Sequence, residues 1–164
     1  MPRNVEKLRV PVRLAAIGRE PMEGHLSLSP HAETHDGPET LCERLNALTR
    51  VVPFQRADDD AVLLVTIAHI EWVVAGPQVA SQLVRPSHVR HAREDHVRVC
   101  LVGGACHEGI LAIGTPHGFN RVSDFLNGAE DFFPLQTPLG TMLVNKGRVL
   151  DVRVRNAGAM PRAA

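Results

Sequence analysis

Two stretches of the chain say the same thing. Thr40 to Arg56 reads TLCERLNALTRVVPFQR, and Arg121 to Thr137 reads RVSDFLNGAEDFFPLQT. Each runs Leu-Asn, a polar patch, two large apolar residues, then Pro-x-Gln. A repeat constrains the fold more than any composition figure, because it divides the chain into equivalent units before any strand or helix is assigned. The units extend in both directions. VRLAAIGREPMEGHLSLS from Val12 aligns without gaps on VRVCLVGGACHEGILAIG from Val97. Val12-Arg13 falls on Val97-Arg98, Gly18 on Gly103, Glu23-Gly24 on Glu108-Gly109 and Leu26 on Leu111. Further on, Leu45-Asn46 falls on Leu126-Asn127, Pro53 on Pro134 and Gln55 on Gln136, and VLLVTIAHIEWV lines up with TMLVNKGRVLDV.

The second copy is the easier to read. VRVCLV alternates apolar residues with Arg98 and Cys100, which is the strand period. GGA supplies a turn and EGILAIG returns, predicting a hairpin. RVSDFLNGA is long enough for two helical turns, with Asn127-Gly128 placed for a left-handed C-cap. DFFPLQT is extended, and Pro134 predicts an edge position or a bulge. GTMLVNKGRVLDVRV reads as two strands around a hairpin turn at Asn145-Lys146-Gly147. The first copy follows the same order, with a longer connection PHAETHDGPET and a less obvious last turn at Thr66 to His69. A gapless register sets Glu71 against Leu150; a turn one residue longer sets it against Asp151, and the sequence leaves both open.

The expected architecture is mainly β, a β-rich α+β fold of two tandem ββαβββ-type repeats. Repeat 1 spans 1–75, a linker 76–96 carries one helical turn near Val79 to Leu83, repeat 2 spans 97–155, and 156–164 is a frayed tail. The repeats are expected to pack with pseudo-twofold symmetry as a β-sandwich or small double barrel around one shared core. A unit of about sixty residues buries too little surface to stand alone. Hydrophobic residues make up 44% of the 164 and aromatics only 4%, so the core is built from Val, Leu, Ile and Ala.

Lys+Arg and Asp+Glu both total 18, so bulk charge argues for no polyanionic partner. The three cysteines, Cys42, Cys100 and Cys106, form no metal or redox spacing; an odd count with no signal peptide predicts reduced thiols in a cytoplasm. No apolar run is long enough for a membrane span. His31 and His35 in HAETHDG lie four apart, but Ala32 stands where a zinc hydrolase has its Glu, so the stretch reads as a polar loop. His88, His91 and His96 sit among Arg85, Arg90 and Arg93, which disfavours a metal ion and points to a basic surface. Asp58-Asp59-Asp60 reads as a charged hairpin turn, and Asp124 and Asp131 fall on Glu43 and Arg50 in the first copy, so a carboxylate pair is not preserved between the copies. No nucleophile, phosphate-loop or dinucleotide motif occurs. No catalytic residue, cofactor or metal site is therefore assigned.

The pattern RVSDFLN…FFPL…LVNKGRV resembles a group of small uncharacterised bacterial proteins built around one such unit, over Val97 to Val152 more fully than over Val12 to Val73. That resemblance implies a β-rich fold and no chemistry. A second resemblance is to Sm-like small barrels: Gly104, Gly109, Leu111 and Phe119-Asn120 resemble their first motif, and Lys146-Gly147 their second. It implies RNA binding. The expectation from the residues themselves is a non-enzymatic structural or protein-interaction module, self-assembling or docking a protein partner, with the RNA-binding reading as the alternative and a histidine metal site third. The predicted interface is the face of Ile110 and Ala112, whose counterparts His25 and Ser27 are polar.

Overall fold

The computed structural model describes residues 6–85, 93–113 and 121–155. The chain runs β1 (Leu8–Ala16), β2 (Met22–Leu28), α1 (Leu41–Asn46), β3 (Val51–Arg56), β4 (Val62–Thr66), a 3₁₀ turn (Ile67–His69) and β5 (Ile70–Ala75). One helical turn, α2 (Ser81–Val84), follows. Then come β6 (Arg93–Leu101), β7 (Cys106–Ile113), α3 (Val122–Leu126), β8 (Phe132–Thr137), β9 (Gly140–Asn145), a 3₁₀ turn (Lys146–Arg148) and β10 (Val149–Val154). The ten strands make one antiparallel sheet in the order β10-β6-β7-β8-β9-β5-β1-β2-β3-β4. Within it β6 to β10 stand in the same relative order as β1 to β5.

The mainly β class is the one expected, but the sheet is open, neither a closed barrel nor two sheets face to face. The halves meet edge to edge, where β5 pairs β9 through Trp72–Val144, Val73–Leu143 and Val74–Met142. Residues alternate across this seam, so it buries both faces. Val73, Leu143 and Phe132 join a first cluster with Val12, Leu14 and Leu26. Trp72, Val74, Met142 and Val144 join a second with Val97, Val99 and Leu111.

The chain reaches this order through its 3₁₀ turns. Asn145-Lys146-Gly147 is not a hairpin turn: β9 pairs β8 and β5, whereas β10 crosses to pair β6. The Lys146 N–H to Asp131 carbonyl bond (2.7 Å) is the last of the β8–β9 ladder; beyond it the Gly147 N–H donates to the Asn145 side-chain oxygen (2.9 Å) and the Val149 N–H to the Lys146 carbonyl, closing the 3₁₀ turn. The Ile67 N–H likewise donates to the Arg50 carbonyl (2.8 Å). The open register resolves as a bulge. Ile70 and Trp72 pair with Ala16 and Ala15, leaving Glu71 out; Val149 and Asp151 pair with Leu101 and Cys100, leaving Leu150 out. Each strand pair thus carries one extra residue, Glu71 or Leu150, and the extra residue restores alternation beyond it.

Three smaller expectations change. Asn127 ends α3 with right-handed backbone (φ −83°), its N–H donating to the Ser123 carbonyl (3.0 Å), so no left-handed cap forms. Pro134 lies inside the sheet, but β8 pairs β7 only at Ile110–Gln136, so the missing N–H costs no ladder bond. The helical turn of the linker falls at Ser81–Val84, with Val84 buried in the first cluster, and β6 begins at Arg93. The tail 156–164 lies outside the described residues.

Gly24 and Gly109 show why these strands need glycine. A Cβ on Gly24 would land on the Gln55 carbonyl oxygen and the Phe54 ring, and one on Gly109 on the Gln136 carbonyl oxygen and Leu135. Backbone cannot yield as a flexible side chain can. Gly24→Ala and Gly109→Ala are each expected to lose about 1–3 kcal/mol of stability, read from urea midpoints, whereas Gly18→Ala, with no neighbour to meet, should lose only the strain of its positive φ.

Candidate functional site

The residues singled out in the sequence do not converge. His31 and His35 lie in a bend between β2 and α1 with no helix to align them. His35 instead turns to Glu43, Nε2 to Oε1 at 2.7 Å, while its Nδ1 lies 3.0 Å from the Asp36 carbonyl. Glu43 is already at work in a capping box: Thr40 accepts from the Glu43 N–H, and the Glu43 carboxylate accepts from the Thr40 N–H. The Asp36 carbonyl, then Glu43, raises the His35 pKa above its usual value. Burial pushes Glu43 up, but the hydrogen bonds from Thr40, His35 and Thr34 outweigh it and leave the carboxyl lowered. His96 is exposed on β6, and His88, His91 and the Phe119-Asn120 pair lie outside the described residues. Among the described residues no three metal-ligating side chains gather.

Asp58 to Asp60 form the β3–β4 turn, with Asp60 at φ 55° and Asp58 paired to Arg56. Asp124 sits on α3, and Asp131 holds the Lys146 N–H by its carbonyl. Lys146 is committed locally. Its Nζ donates to the carbonyls of Phe125 (3.2 Å) and Gly128 (3.4 Å) and lies 5.4 Å from the Phe125 ring centre. Burial lowers its pKa. Gly104 takes positive φ in the β6–β7 turn, and Leu111 is core.

Cys100 and Cys106 are not reduced thiols: they form a disulfide. The β6–β7 register sets them directly opposite, with Cα atoms 4.1 Å apart, a pairing that a count of intervening residues hides. Cys42 is free and buried, and burial pushes its thiol up to about 12. No described helix is long and apolar enough to cross a membrane.

What the structure does assemble is a junction and two open edges. At the junction Asn46, at the end of α1, grips the backbone of Phe132 from both sides. Its Oδ1 accepts from the Phe132 N–H (2.8 Å) and its Nδ2 donates to the Phe132 carbonyl (3.2 Å). Asn145 donates across the seam to the Ile70 carbonyl (2.9 Å). The open edges are β4 and β10, each paired on one side only among the described residues. On β4, Val62 and Leu64 are 62% and 68% exposed; on β10, Leu150 is 67% exposed. Beside β10 runs a groove of about 550 Å³ against α3, whose lining includes the apolar Val122, Leu126, Val149 and Val152 and the charged Arg93, Arg121 and Asp151.

Ile110 and Ala112 are half-buried; the exposed apolar side chains include Val62, Leu64, Leu150 and Val154 on the edge strands, and Leu48, Val102 and Leu139 in loops and turns. One signal for the edge was present. VLLV at 62–65 is a continuous apolar run, the pattern of a strand covered on both faces, yet here it flanks solvent. Comparison with family models, with curated proteins and with solved structures finds no match.

Two measurements check this local chemistry. After unfolding without reductant, thiol titration should find one free group, Cys42, and three after reduction. The His35–Glu43 pair should give a stability maximum in mild acid. A raised folded His35 pKa stabilises below its unfolded value near 6.5 and is lost as pH rises through the folded value; a lowered Glu43 pKa stabilises above 4.5 and is lost as pH falls through its folded value. Proton NMR should show His35 titrating above its usual value in the wild type and falling only part of the way back in Glu43→Gln, because the Asp36 carbonyl still raises it.

Proposed function

We propose that this chain is a structural, protein-interaction module made of two copies of one five-stranded unit, and that it acts through its open strand edges. The two-copy reading is supported by the shared strand order, by bulges at matching places (Glu71 and Leu150), by the closely packed Gly24 and Gly109, and by 3₁₀ turns before both last strands. The observation that carries the interaction reading is the pair of edges with apolar side chains in solvent, Val62 and Leu64 on β4 and Leu150 and Val154 on β10. An exposed strand edge presents unpaired N–H and C=O groups that another chain can complete. Natural edges are ordinarily blunted by charge; β4 carries none.

The test is photocrosslinking in the native host or its lysate, with a benzophenone amino acid at Leu64, at Leu150 and, as a control, at the β8–β9 turn residue Leu139. Protein crosslinks, including ones to the chain itself, are expected from the two edges and to be lost when the edge carries a second substitution to Asp. Equal yields from Leu139, or none from either edge, would overturn the reading. Crosslinks to RNA alone, lost in Lys146→Ala, would favour the nucleic-acid alternative.

A further inference from the structure

We infer that copies of this chain join head to tail, β4 of one molecule pairing with β10 of the next, and so repeat between molecules the β9–β5 junction that each makes internally. The inference rests on the two-copy, edge-acting reading above and names its partner as a second copy of this chain.

Under the correspondence of the halves, β4 is the counterpart of β9 and β10 of β5. The internal pairs are Val144–Trp72, Leu143–Val73 and Met142–Val74. Their counterparts between molecules are Val65–Asp151, Leu64–Val152 and Leu63–Arg153. The backbone is turned the right way for this. The Arg155 N–H donates to the His96 carbonyl on β6 (2.9 Å), so alternation directs the Val152 N–H and C=O away from β6, to the open side. On β4 the Ile67 N–H donates towards β3, and Leu64 stands opposite Pro53, which has no N–H to give. The Leu64 N–H and C=O therefore also face the open side, and the Leu64–Val152 pair would exchange both bonds.

The side chains match the same template. Inside the molecule, Phe132 and Leu143 are 0% and 1% exposed, seated among Leu41, Leu45, Ile70 and Val73. Their counterparts Val51 and Leu64 are 41% and 68% exposed. The counterparts of the four seating residues are Val122, Leu126, Val149 and Val152, which all line the groove between α3 and β10, a groove that Arg93, Arg121 and Asp151 rim with charge. Among the described residues the knob is bare on one edge of the molecule and the groove is uncovered at the other. Asn127 is the counterpart of Asn46; it is exposed at the end of α3, where it can grip the Val51 backbone of the next molecule as Asn46 grips that of Phe132. The other face of the new seam is more polar, because Asp151 and Arg153 replace Trp72 and Val74. Assembly is therefore weaker than the internal junction and depends on concentration. Being heterologous, the contact continues until it closes a ring or grows a filament.

The experiment is light scattering on the full chain, with circular dichroism to verify folding. Wild type should exceed 17.9 kDa and rise with concentration. Leu64→Asp kills only the β4 edge, and Asn127→Arg, at an exposed position, only the β10 side. Each should be monomeric alone. Mixed one to one, they retain one live junction and should give a species of twice 17.9 kDa that grows no further. Val152→Pro, which removes an outward N–H and spares the bonds to β6, provides a second β10-side variant. A wild type fixed at 17.9 kDa, single variants as large as wild type, or mixed variants that stay monomeric would each overturn head-to-tail pairing. A monomeric wild type with edge crosslinks to other proteins would sink this inference alone and leave the broader function standing.

Discussion

The backbone ladder between β5 and β9 is the constraint on which the rest of the structure depends. It is only three residue pairs long, Trp72–Val144, Val73–Leu143 and Val74–Met142. Yet it buries side chains on both faces of the sheet, because strand alternation sends Val73 and Leu143 to one cluster and Trp72, Val74, Met142 and Val144 to the other. Each cluster therefore borrows residues from the opposite half. Phe132 completes the first, and Ala15 and Trp72 help complete the second. A unit of about sixty residues has too high a ratio of surface to volume to bury an adequate core. The seam supplies each half with the missing wall.

Side-chain contacts pin the same seam. Glu71, bulged out of the β1–β5 register, is buried at the turn of the other half: a Cβ on Gly103 would lie 2.7 Å from its Oε1. The neighbouring Trp72 meets the His107 ring edge-on, with centroids 5.7 Å apart. Burial lowers the His107 pKa and Glu71 opposes the shift. These contacts tie β5 to the β6–β7 turn, the turn that the Cys100–Cys106 bond also closes. The α1 end of the seam is held by Asn46 on the Phe132 backbone. Polar groups thus fix the register at the rim while apolar groups supply the burial.

The same economy explains the unequal exposure of matching positions. Leu143 is buried and Leu64 is not; Phe132 is buried and Val51 is not; Val73 is fully buried and Val152 only partly. Leu143 and Leu64, and Val73 and Val152, are the same residue types, so residue type does not distinguish them. Position in the sheet does: Leu143 and Val73 stand on the seam strands, Leu64 and Val152 on the free edges. Apolar residues at a free edge are an aggregation hazard unless something covers them.

Much of this could be read from residues alone. Alternation in VRVCLV, glycine at the GGA turn and the apolar run of VLLV are local, and local sterics and burial period determine strands and turns. The β-rich class and the positions of α1 and α3 follow from them. Asn145-Lys146-Gly147 shows the limit: a three-residue turn signal is compatible with a hairpin or a crossover, and the long-range pairings of β9 with β5 and of β10 with β6 make it a crossover. The Cys100–Cys106 bond needed the β6–β7 register, which places residues six apart directly opposite each other. The candidate site was the least legible part. Whether Leu64 and Val152 lie in a core or on an edge depends on which strand stands beside them, and strand neighbours are set by long-range pairing, which adjacent residues do not encode.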